Sequence, residues 1–135
     1  MNRMDILRAR LYSIINYRLQ SLAAHRMKNI VKPTFLCFKL TERCNSRCVH
    51  CDMWKQATIP EEDELSTSEW KRTLSQIRRW TGPAMVVFTG GEIFLRPDAL
   101  EIIRHAASIG LVVEVLTNGI LTDRSCCEQL IQAGP

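Results

Sequence analysis

Three cysteines lie close together between Cys44 and Cys51, with three residues and then two residues between successive thiols. Thiolates are soft ligands that suit iron–sulfur clusters, zinc and copper(I). A structural zinc ion or a fully ligated iron–sulfur cluster takes four protein ligands. A local set of three therefore favours an iron–sulfur cluster in which one metal position binds a small molecule from outside the protein.

Zinc is the alternative metal, and it requires a fourth protein ligand. His50 is the obvious candidate, but it is adjacent to Cys51, and neighbouring ligands strain a tetrahedral site. Cys37 and His105 are more remote candidates. Inert buried thiols are the third interpretation of the triplet.

The remaining cysteines do not indicate a disulfide scaffold. Cys37 falls in a strand-like segment, while Cys126 and Cys127 are adjacent in a helix-like one, where they cannot pair with each other without distortion. Arginines interrupt every apolar stretch near the N-terminus, so no secretory signal is recognisable. We expect a reduced, cytoplasmic protein with a metal-binding triplet.

Two further segments have residue types that suit ligand binding. In Gly90-Gly91-Glu92, the glycines allow close approach of a ligand to the backbone, and the carboxylate could bind an ammonium group. Thr117-Asn118-Gly119 is the second segment, and an Asn-Gly pair after a strand is usually a turn. Taken alone, the first segment is also more typical of a tight turn with a solvated glutamate.

The elements that must position these motifs alternate between strand and helix. Short apolar segments predict strands, a capping box at Ser66 and the turns at Gly82 and Gly110 delimit helices, and Thr122 is the expected cap of the last one. Strands are predicted over 34–40, 84–88 and 111–116, and helices over 66–80, 98–110 and 122–132. Crossovers of this length give parallel strands, with ligands beyond their carboxyl ends. The three motifs should therefore share one rim.

The combination of Cys-x3-Cys-x2-Cys, Gly-Gly-Glu and Thr-Asn-Gly after three successive strands resembles the radical S-adenosylmethionine (radical SAM) superfamily over residues 34–135. The resemblance implies that Cys44, Cys48 and Cys51 hold a 4Fe-4S cluster. The open iron of this cluster would be chelated by the amino and carboxylate groups of S-adenosylmethionine. The implied fold is α/β, comprising the first three β/α units of a partial (β/α)6 TIM-like barrel.

The same resemblance assigns the other two motifs to the cofactor. Gly90, Gly91 and Glu92 match the segment that binds the methionyl amino group, and Asn118 would line the cofactor pocket. No further catalytic residue is assigned. The residues following Cys51 and Phe94 look most like the branch that contains molybdenum-cofactor cyclases and peptide-modifying enzymes.

The implied reaction is reductive cleavage of S-adenosylmethionine, which yields a 5′-deoxyadenosyl radical that abstracts hydrogen from a substrate. The substrate would be an unknown small molecule or peptide, and the electron donor a flavodoxin or ferredoxin. A non-catalytic iron–sulfur or zinc-binding module is the alternative function. Elemental analysis after anaerobic purification separates iron from zinc.

Two domains are expected. Residues 33–135 form the radical SAM core, truncated after the third β/α unit, so we expect a fragment that turns over S-adenosylmethionine poorly by itself. Robust formation of 5′-deoxyadenosine by the 135-residue chain would contradict this expectation. An unpaired apolar edge on the third strand would favour aggregation.

Residues 1–32 form a basic N-terminal extension, with seven lysines and arginines against Asp5 alone, in a chain of net charge +4. Apolar residues at helical spacing predict an amphipathic helix over 3–26: Leu7, Leu11, Ile14, Ile15, Leu19 and Leu22. Such a helix could contact an anionic membrane peripherally, or pack its apolar stripe on the outside or bottom of the barrel. Packing against the barrel is the favoured interpretation. Nucleic acid is not expected as a partner, because residues 1–32 contain no aromatic residues besides Tyr12 and Tyr17.

Overall fold

The computed structural model describes residues 3–23, 32–55 and 59–134, and these ranges form an α/β structure. The α/β class predicted from the sequence is confirmed. In chain order, the main elements are α1 (Arg3–Ala23), β1 (Phe35–Thr41), α2 (Thr67–Thr81), β2 (Met85–Gly90), α3 (Ala99–Ser108), β3 (Val112–Val115) and α4 (Arg124–Ala133). Short 3₁₀ turns follow the cysteine segment and β2, at Met53–Lys55, Glu61–Asp63 and Ile93–Leu95.

The three strands form one parallel sheet in the order β1-β2-β3. Alternate residues of each strand point to the face that the helices cover, because successive side chains of a strand point to opposite faces. Phe88 at the centre of this face is fully buried, and its neighbour Phe38 packs edge-on against Trp70 of α2 at 5.8 Å between ring centroids. Ile102 and Ile103 of α3 complete the same core.

β1 was predicted to be a buried strand, and this prediction is wrong for one of its faces. Phe35 is 59% exposed, and Cys37 and Lys39 are also exposed, whereas Leu40 and Thr41 at the carboxyl end are buried. Within the described residues, β2 is the only strand that pairs with β1, and helices α2 to α4 contribute to the core on its other face. An apolar sequence therefore forms an edge strand with one covered face.

The predicted helix starts are correct at α2 and off by one residue at α4. Ser66 and Glu69 form the expected capping box, since the Glu69 amide donates to Ser66 Oγ at 3.4 Å and the Ser66 amide to Glu69 Oε2 at 2.9 Å. At α4 the cap is Asp123, which accepts from the Cys126 amide at 2.7 Å. Thr122 instead donates its hydroxyl to the Gly119 carbonyl.

Helix α1 lies at the amino ends of the strands. Its residues Ile6, Ala9 and Ser13 line one side of a cleft. The other side includes the first residue of each strand, namely Phe35, Met85 and Val112. The helix therefore packs at the bottom of the sheet, as the favoured interpretation expected. The prediction that its apolar stripe makes this contact is wrong, however, because Leu7, Leu11, Ile14, Ile15, Leu19 and Leu22 are all exposed.

The predicted end of this helix, over residues 24–26, lies outside the described residues. Within the described ranges, no helix combines the length and the apolar character that crossing a membrane requires.

Candidate functional site

The cysteine triplet occupies the loop that leaves the carboxyl end of β1. Cys44 is half-buried, Cys48 and Cys51 are exposed, and all three are free thiols. The loop is held by its own backbone, because the Cys51 amide donates to the Cys48 carbonyl at 3.2 Å and the Ser46 amide to Cys44 Sγ at 3.4 Å. Trp54 Nε1 also donates to the Cys48 carbonyl, at 3.4 Å.

The fit of this site to a metal depends on the three thiols, and His50, the first candidate for a fourth zinc ligand, is exposed directly before Cys51. No three His, Cys, Asp or Glu side chains in the described ranges are preassembled around one metal position, so the fit rests on three free thiols within one loop. Of the candidates for a fourth zinc ligand, His105 Nε2 is within 3.0 Å of Ser75 Oγ and 3.1 Å of the Lys71 carbonyl, and Cys37 lies within β1.

Cys126 lies outside the triplet, and its surroundings alter the pKa of its thiol. Its partial burial raises the pKa of the thiol above the ordinary value, and the neighbouring Asp123 carboxylate acts in the same direction. A metal binds the thiolate, and these surroundings disfavour that form near neutral pH.

Gly90 and Gly91 join the end of β2 to the residues immediately before Cys44. The Gly91 amide donates to the Thr41 carbonyl at 2.9 Å, and the Glu92 amide to the Arg43 carbonyl at 2.8 Å. A Cβ on Gly90, whose φ is +136°, would lie 2.1 Å from the Thr41 carbonyl oxygen, and a Cβ on Gly91 would lie 2.1 Å from that of Arg43. Only glycine allows the two backbones to approach this closely. The sequence pattern had predicted close approach of a ligand to these glycines, whereas the structure shows close approach of the segment before Cys44.

Replacing Gly91 with alanine is expected to displace the start of the cysteine loop. The two backbone hydrogen bonds at this junction together contribute about 1–3 kcal/mol to stability. Their loss should also make half-buried Cys44 react several-fold faster with a thiol reagent, as measured by peptide mapping of the alkylated chain.

Gly110→Ala is the matched control for Gly91→Ala. Gly110 also carries a constrained backbone, with φ +82°, but it lies before β3 at the opposite end of the sheet, and a Cβ would meet only the Arg78 side chain at 3.5 Å. We expect some loss of stability with unchanged Cys44 reactivity. If Cys44 reacted equally faster with the thiol reagent in both variants, general destabilisation and not the Gly91 junction would control access to Cys44.

Glu92 is fully buried, and its carboxylate is engaged by the protein itself. It accepts hydrogen bonds from the Phe94 amide at 3.1 Å, from Thr117 Oγ1 at 2.8 Å and from the Asn118 amide at 2.8 Å. The loop after β2 is thereby joined to the loop after β3. This positioning role was not foreseen from the sequence, which indicated only a carboxylate beside two glycines.

Asn118 connects the loop after β3 to the cysteine loop. Its Nδ2 donates to Asn45 Oδ1 at 2.8 Å and to Ser46 Oγ at 2.9 Å, and its Oδ1 accepts from the Ile120 amide at 2.9 Å. With the junction at Gly91 and the contacts of Glu92, this places all three motifs on one rim. The predicted convergence of the three motifs is confirmed.

A buried ionic network beside this rim was missed from the sequence. Arg96 and Glu64 have side chains that are 6% and 7% exposed, and Arg96 Nη1 donates to Glu64 Oε2 at 3.0 Å. Arg96 also binds Asp98 through Nε at 3.0 Å and Nη2 at 2.8 Å, and it donates to the carbonyls of Leu40 and Leu65. One guanidinium therefore joins the end of β1, the segment before α2 and the start of α3.

The network also alters two titrating groups. Partial burial by itself would raise the pKa of Asp98, but hydrogen bonds from Arg96 and Thr67 outweigh it and lower this pKa below the ordinary value. For Arg96, burial opposes the charge, while Asp98 and Glu64 raise the pKa above its ordinary value. The signal in the sequence was an arginine two residues before an aspartate, together with the acidic segment 61–64.

Comparison with known proteins agrees with these features. Residues 38–135 match the model of the Radical SAM superfamily. The chain is 37% identical over 102 residues to a PqqA peptide cyclase of Rhodopseudomonas palustris, and 35% identical over 102 residues to an AdoMet-dependent heme synthase of Methanosarcina barkeri. It is 36% identical over 104 residues to an Fe-coproporphyrin III synthase of the same archaeon.

Each of these alignments covers 76% of the chain but only 26%, 29% and 25%, respectively, of the relative. The chain thus spans between a quarter and a third of the length of the curated relatives it matches. The family match includes all three cysteines of the triplet and both further motifs of the rim. The chain belongs to the radical SAM superfamily.

Proposed function

We propose that this chain carries the cluster-binding and cofactor-binding part of a radical SAM enzyme. The observation that carries the proposal is the joining of three loops at one rim. Gly91 and Glu92 hydrogen-bond to the residues before Cys44, and Asn118 hydrogen-bonds to Asn45 and Ser46 within the cysteine loop. Three thiols and a glycine-rich strand end therefore lie beside each other, as binding of one chelated cofactor requires.

In this proposal, Cys44, Cys48 and Cys51 would hold a 4Fe-4S cluster, and its remaining iron would be available to S-adenosylmethionine. When bound and reduced, the cluster supplies the electron that cleaves S-adenosylmethionine and gives the 5′-deoxyadenosyl radical for hydrogen abstraction. The thiols fit this role because all three are free and lie in one loop, with Cys48 and Cys51 exposed and Cys44 half-buried.

The other rim residues bind and orient the cofactor. Gly90 and Gly91 leave the backbone at the end of β2 unshielded by side chains, which suits recognition of the methionyl amino group. Glu92 contributes its charge and fixes the loops on both sides through its buried hydrogen bonds. Asn118 holds the loop after β3 against the cysteine loop and lines the cofactor pocket.

The finer architecture and the partners are part of the same proposal. We place residues 33–135 in the first three β/α units of a partial (β/α)6 barrel and treat residues 1–32 as a separate extension. The names of the relatives suggest a peptide or a small molecule such as a porphyrin as substrate. A flavodoxin or ferredoxin is the proposed electron donor, and the cation of Arg47 over the half-buried Trp54 ring, close to Cys48, would suit an acidic partner.

The test is anaerobic reconstitution with iron and sulfide. Wild-type protein should gain the visible absorbance and the iron-to-sulfide ratio of a 4Fe-4S cluster. Cys48→Ala should lose most of the bound iron, because two local thiolates hold a cluster poorly. Cys37→Ala is the matched control, since Cys37 is an exposed cysteine on β1 and its removal should leave the bound iron unchanged.

Three results would count against the proposal in different ways. Retention of the full cluster absorbance in Cys48→Ala would refute the ligand assignment. Stoichiometric zinc in anaerobically purified protein would favour a zinc module. A cluster that does not alter its electron paramagnetic resonance spectrum on addition of S-adenosylmethionine would favour a non-catalytic iron–sulfur module.

A further inference from the structure

The outward side of helix α1 exposes a group of apolar residues, with Arg8 and Arg18 lying among them. We call this surface the α1 outer face. It consists of residues that are between 47% and 77% exposed: Met4, Leu7, Leu11, Ile14, Ile15, Leu19 and Leu22. Contiguous exposed apolar surfaces on a folded protein commonly mark interaction sites, whereas single exposed apolar residues do not.

The opposite side of the same helix is already used by the fold. Ile6, Ala9 and Ser13 border the amino ends of the strands, Tyr12 lies against Gly82, and Asn16 Nδ2 donates to the Lys32 carbonyl. With 100° of rotation per residue, most of these positions lie on the side of the helix away from the α1 outer face, and Tyr12 lies at its border beside Leu19. The helix is therefore fixed on the sheet by one side and presents the other outward.

The charge of α1 indicates the chemistry of the partner. Arg8, Arg10 and Arg18 are exposed on this helix, and Asp5 is its only acidic residue. Arginines can extend their guanidinium groups beside an apolar surface while their aliphatic stems cover part of it. An apolar face with Arg10 at its edge and Arg8 and Arg18 within it is complementary to a layer with an apolar interior and an anionic surface.

We propose that the α1 outer face docks on an anionic lipid surface. A second copy of the chain fits less well, because a symmetric contact would bring Arg8 and Arg18 of both copies together. Nucleic acid fits less well because the face itself is aliphatic, and Tyr17 beside it is the one strongly exposed aromatic side chain among the described residues of α1. Since no described helix can span a membrane, α1 would lie in the interface between lipid headgroups and acyl chains.

The position of α1 is compatible with docking. The helix lies at the amino ends of the strands, whereas the cysteine loop and the other two rim loops leave their carboxyl ends. A chain seated on lipid through α1 would therefore keep the rim directed away from the membrane. The docking proposal does not depend on the proposed cluster.

The test is co-sedimentation of the complete metal-free 135-residue chain with phosphatidylcholine vesicles, with and without about one-third phosphatidylglycerol. We expect binding to the anionic vesicles only, weakened at least tenfold at high salt, because surface charges are screened. The double variant L11D/I15D should lose binding at least tenfold, and Arg18→Glu should weaken it several-fold. Ile131→Asp is the matched control, since Ile131 is 78% exposed on α4 and should not contribute.

Circular dichroism of every variant shows whether the fold persists. Equal binding to neutral vesicles, or wild-type binding by the folded double variant, would overturn the proposal. So would absence of vesicle binding together with self-association that the double variant abolishes in analytical ultracentrifugation. In that case, the α1 outer face is an interface between copies of the chain.

Discussion

Replacing Arg96 with methionine is expected to lower the free energy of unfolding by about 3–5 kcal/mol, which is the usual cost of removing one member of a buried ion pair. Methionine keeps most of the length of the side chain and removes the charge and every donor. Glu64, only 7% exposed, would then keep its charge in the interior without its closest cation. The carbonyls of Leu40 and Leu65 would lose donors at 3.2 and 2.9 Å.

A surface pair supplies the control for Arg96. Lys71 Nζ lies 2.5 Å from Glu101 Oε1, but the two side chains are 36% and 56% exposed. Lys71→Met should therefore cost less than about 1 kcal/mol. Arg96→Lys should fall between the two variants, because lysine keeps the charge but lacks the planar fork that binds Asp98 through two nitrogens.

Urea denaturation of the three variants measures this difference, and a loss in Arg96→Met no larger than that in Lys71→Met would contradict the assigned role. The dependence on pH gives a second readout. Because the pKa of Asp98 is lowered in the folded chain, its contribution is present above the unfolded pKa of about 3.9 and is lost as pH falls through the folded value. Removing Arg96 should therefore make the free energy of unfolding less dependent on pH in this acid range.

Replacing Glu92 with alanine is the second large prediction, with an expected loss of about 3–6 kcal/mol. Two backbone amides, those of Phe94 and Asn118, would each lose a hydrogen bond to a charged acceptor, worth about 1.5–3 kcal/mol apiece. The carboxylate is fully buried, so water does not replace it without rearrangement of both loops. The loop after β3 should then lose its position against the cysteine loop.

Two further variants separate the structural role of Glu92 from direct recognition of the cofactor. Thr117→Val removes the hydroxyl that donates to Glu92 and accepts from the Gly119 amide, and should cost about 1–3 kcal/mol. Glu92→Gln keeps one acceptor oxygen and nearly the same shape, so it should retain part of the stability. Isothermal titration of the reconstituted variants with S-adenosylmethionine adds the second measurement. Wild-type stability in Glu92→Ala, together with lost cofactor binding, would show that the carboxylate acts as a ligand and not as a loop support.

The sequence predicted the order of the elements and the motifs of the rim, because these depend on local signals. Apolar segments bounded by glycines located β2 and β3, and the capping box located the start of α2. Parallel crossovers place successive strand ends on the same edge, so the convergence of the three motifs followed from topology alone. The family resemblance rested on the same residues and was confirmed by the comparison.

The sequence could not indicate which side chains the fold would bury. Arg96 and Glu64 are 32 positions apart, and their pairing depends on how the loops after β1 and β2 approach each other. The exposure of Phe35 likewise depends on what covers one face of β1. The same holds for α1, whose periodicity identified an apolar stripe but not the side of the helix that contacts the strands.

The sequence by itself therefore determined the chemical character of this protein: three thiols in one loop, a glycine-rich strand end and the alternation of strands and helices. Only the tertiary structure decided that Glu92 is buried between two loops, that Arg96 joins three segments and that α1 presents its leucines outward. The physical reason is that spacing along the chain specifies local geometry and ligand type. Burial and hydrogen-bond partners depend on contacts between residues far apart in sequence, which exist only once the sheet has formed.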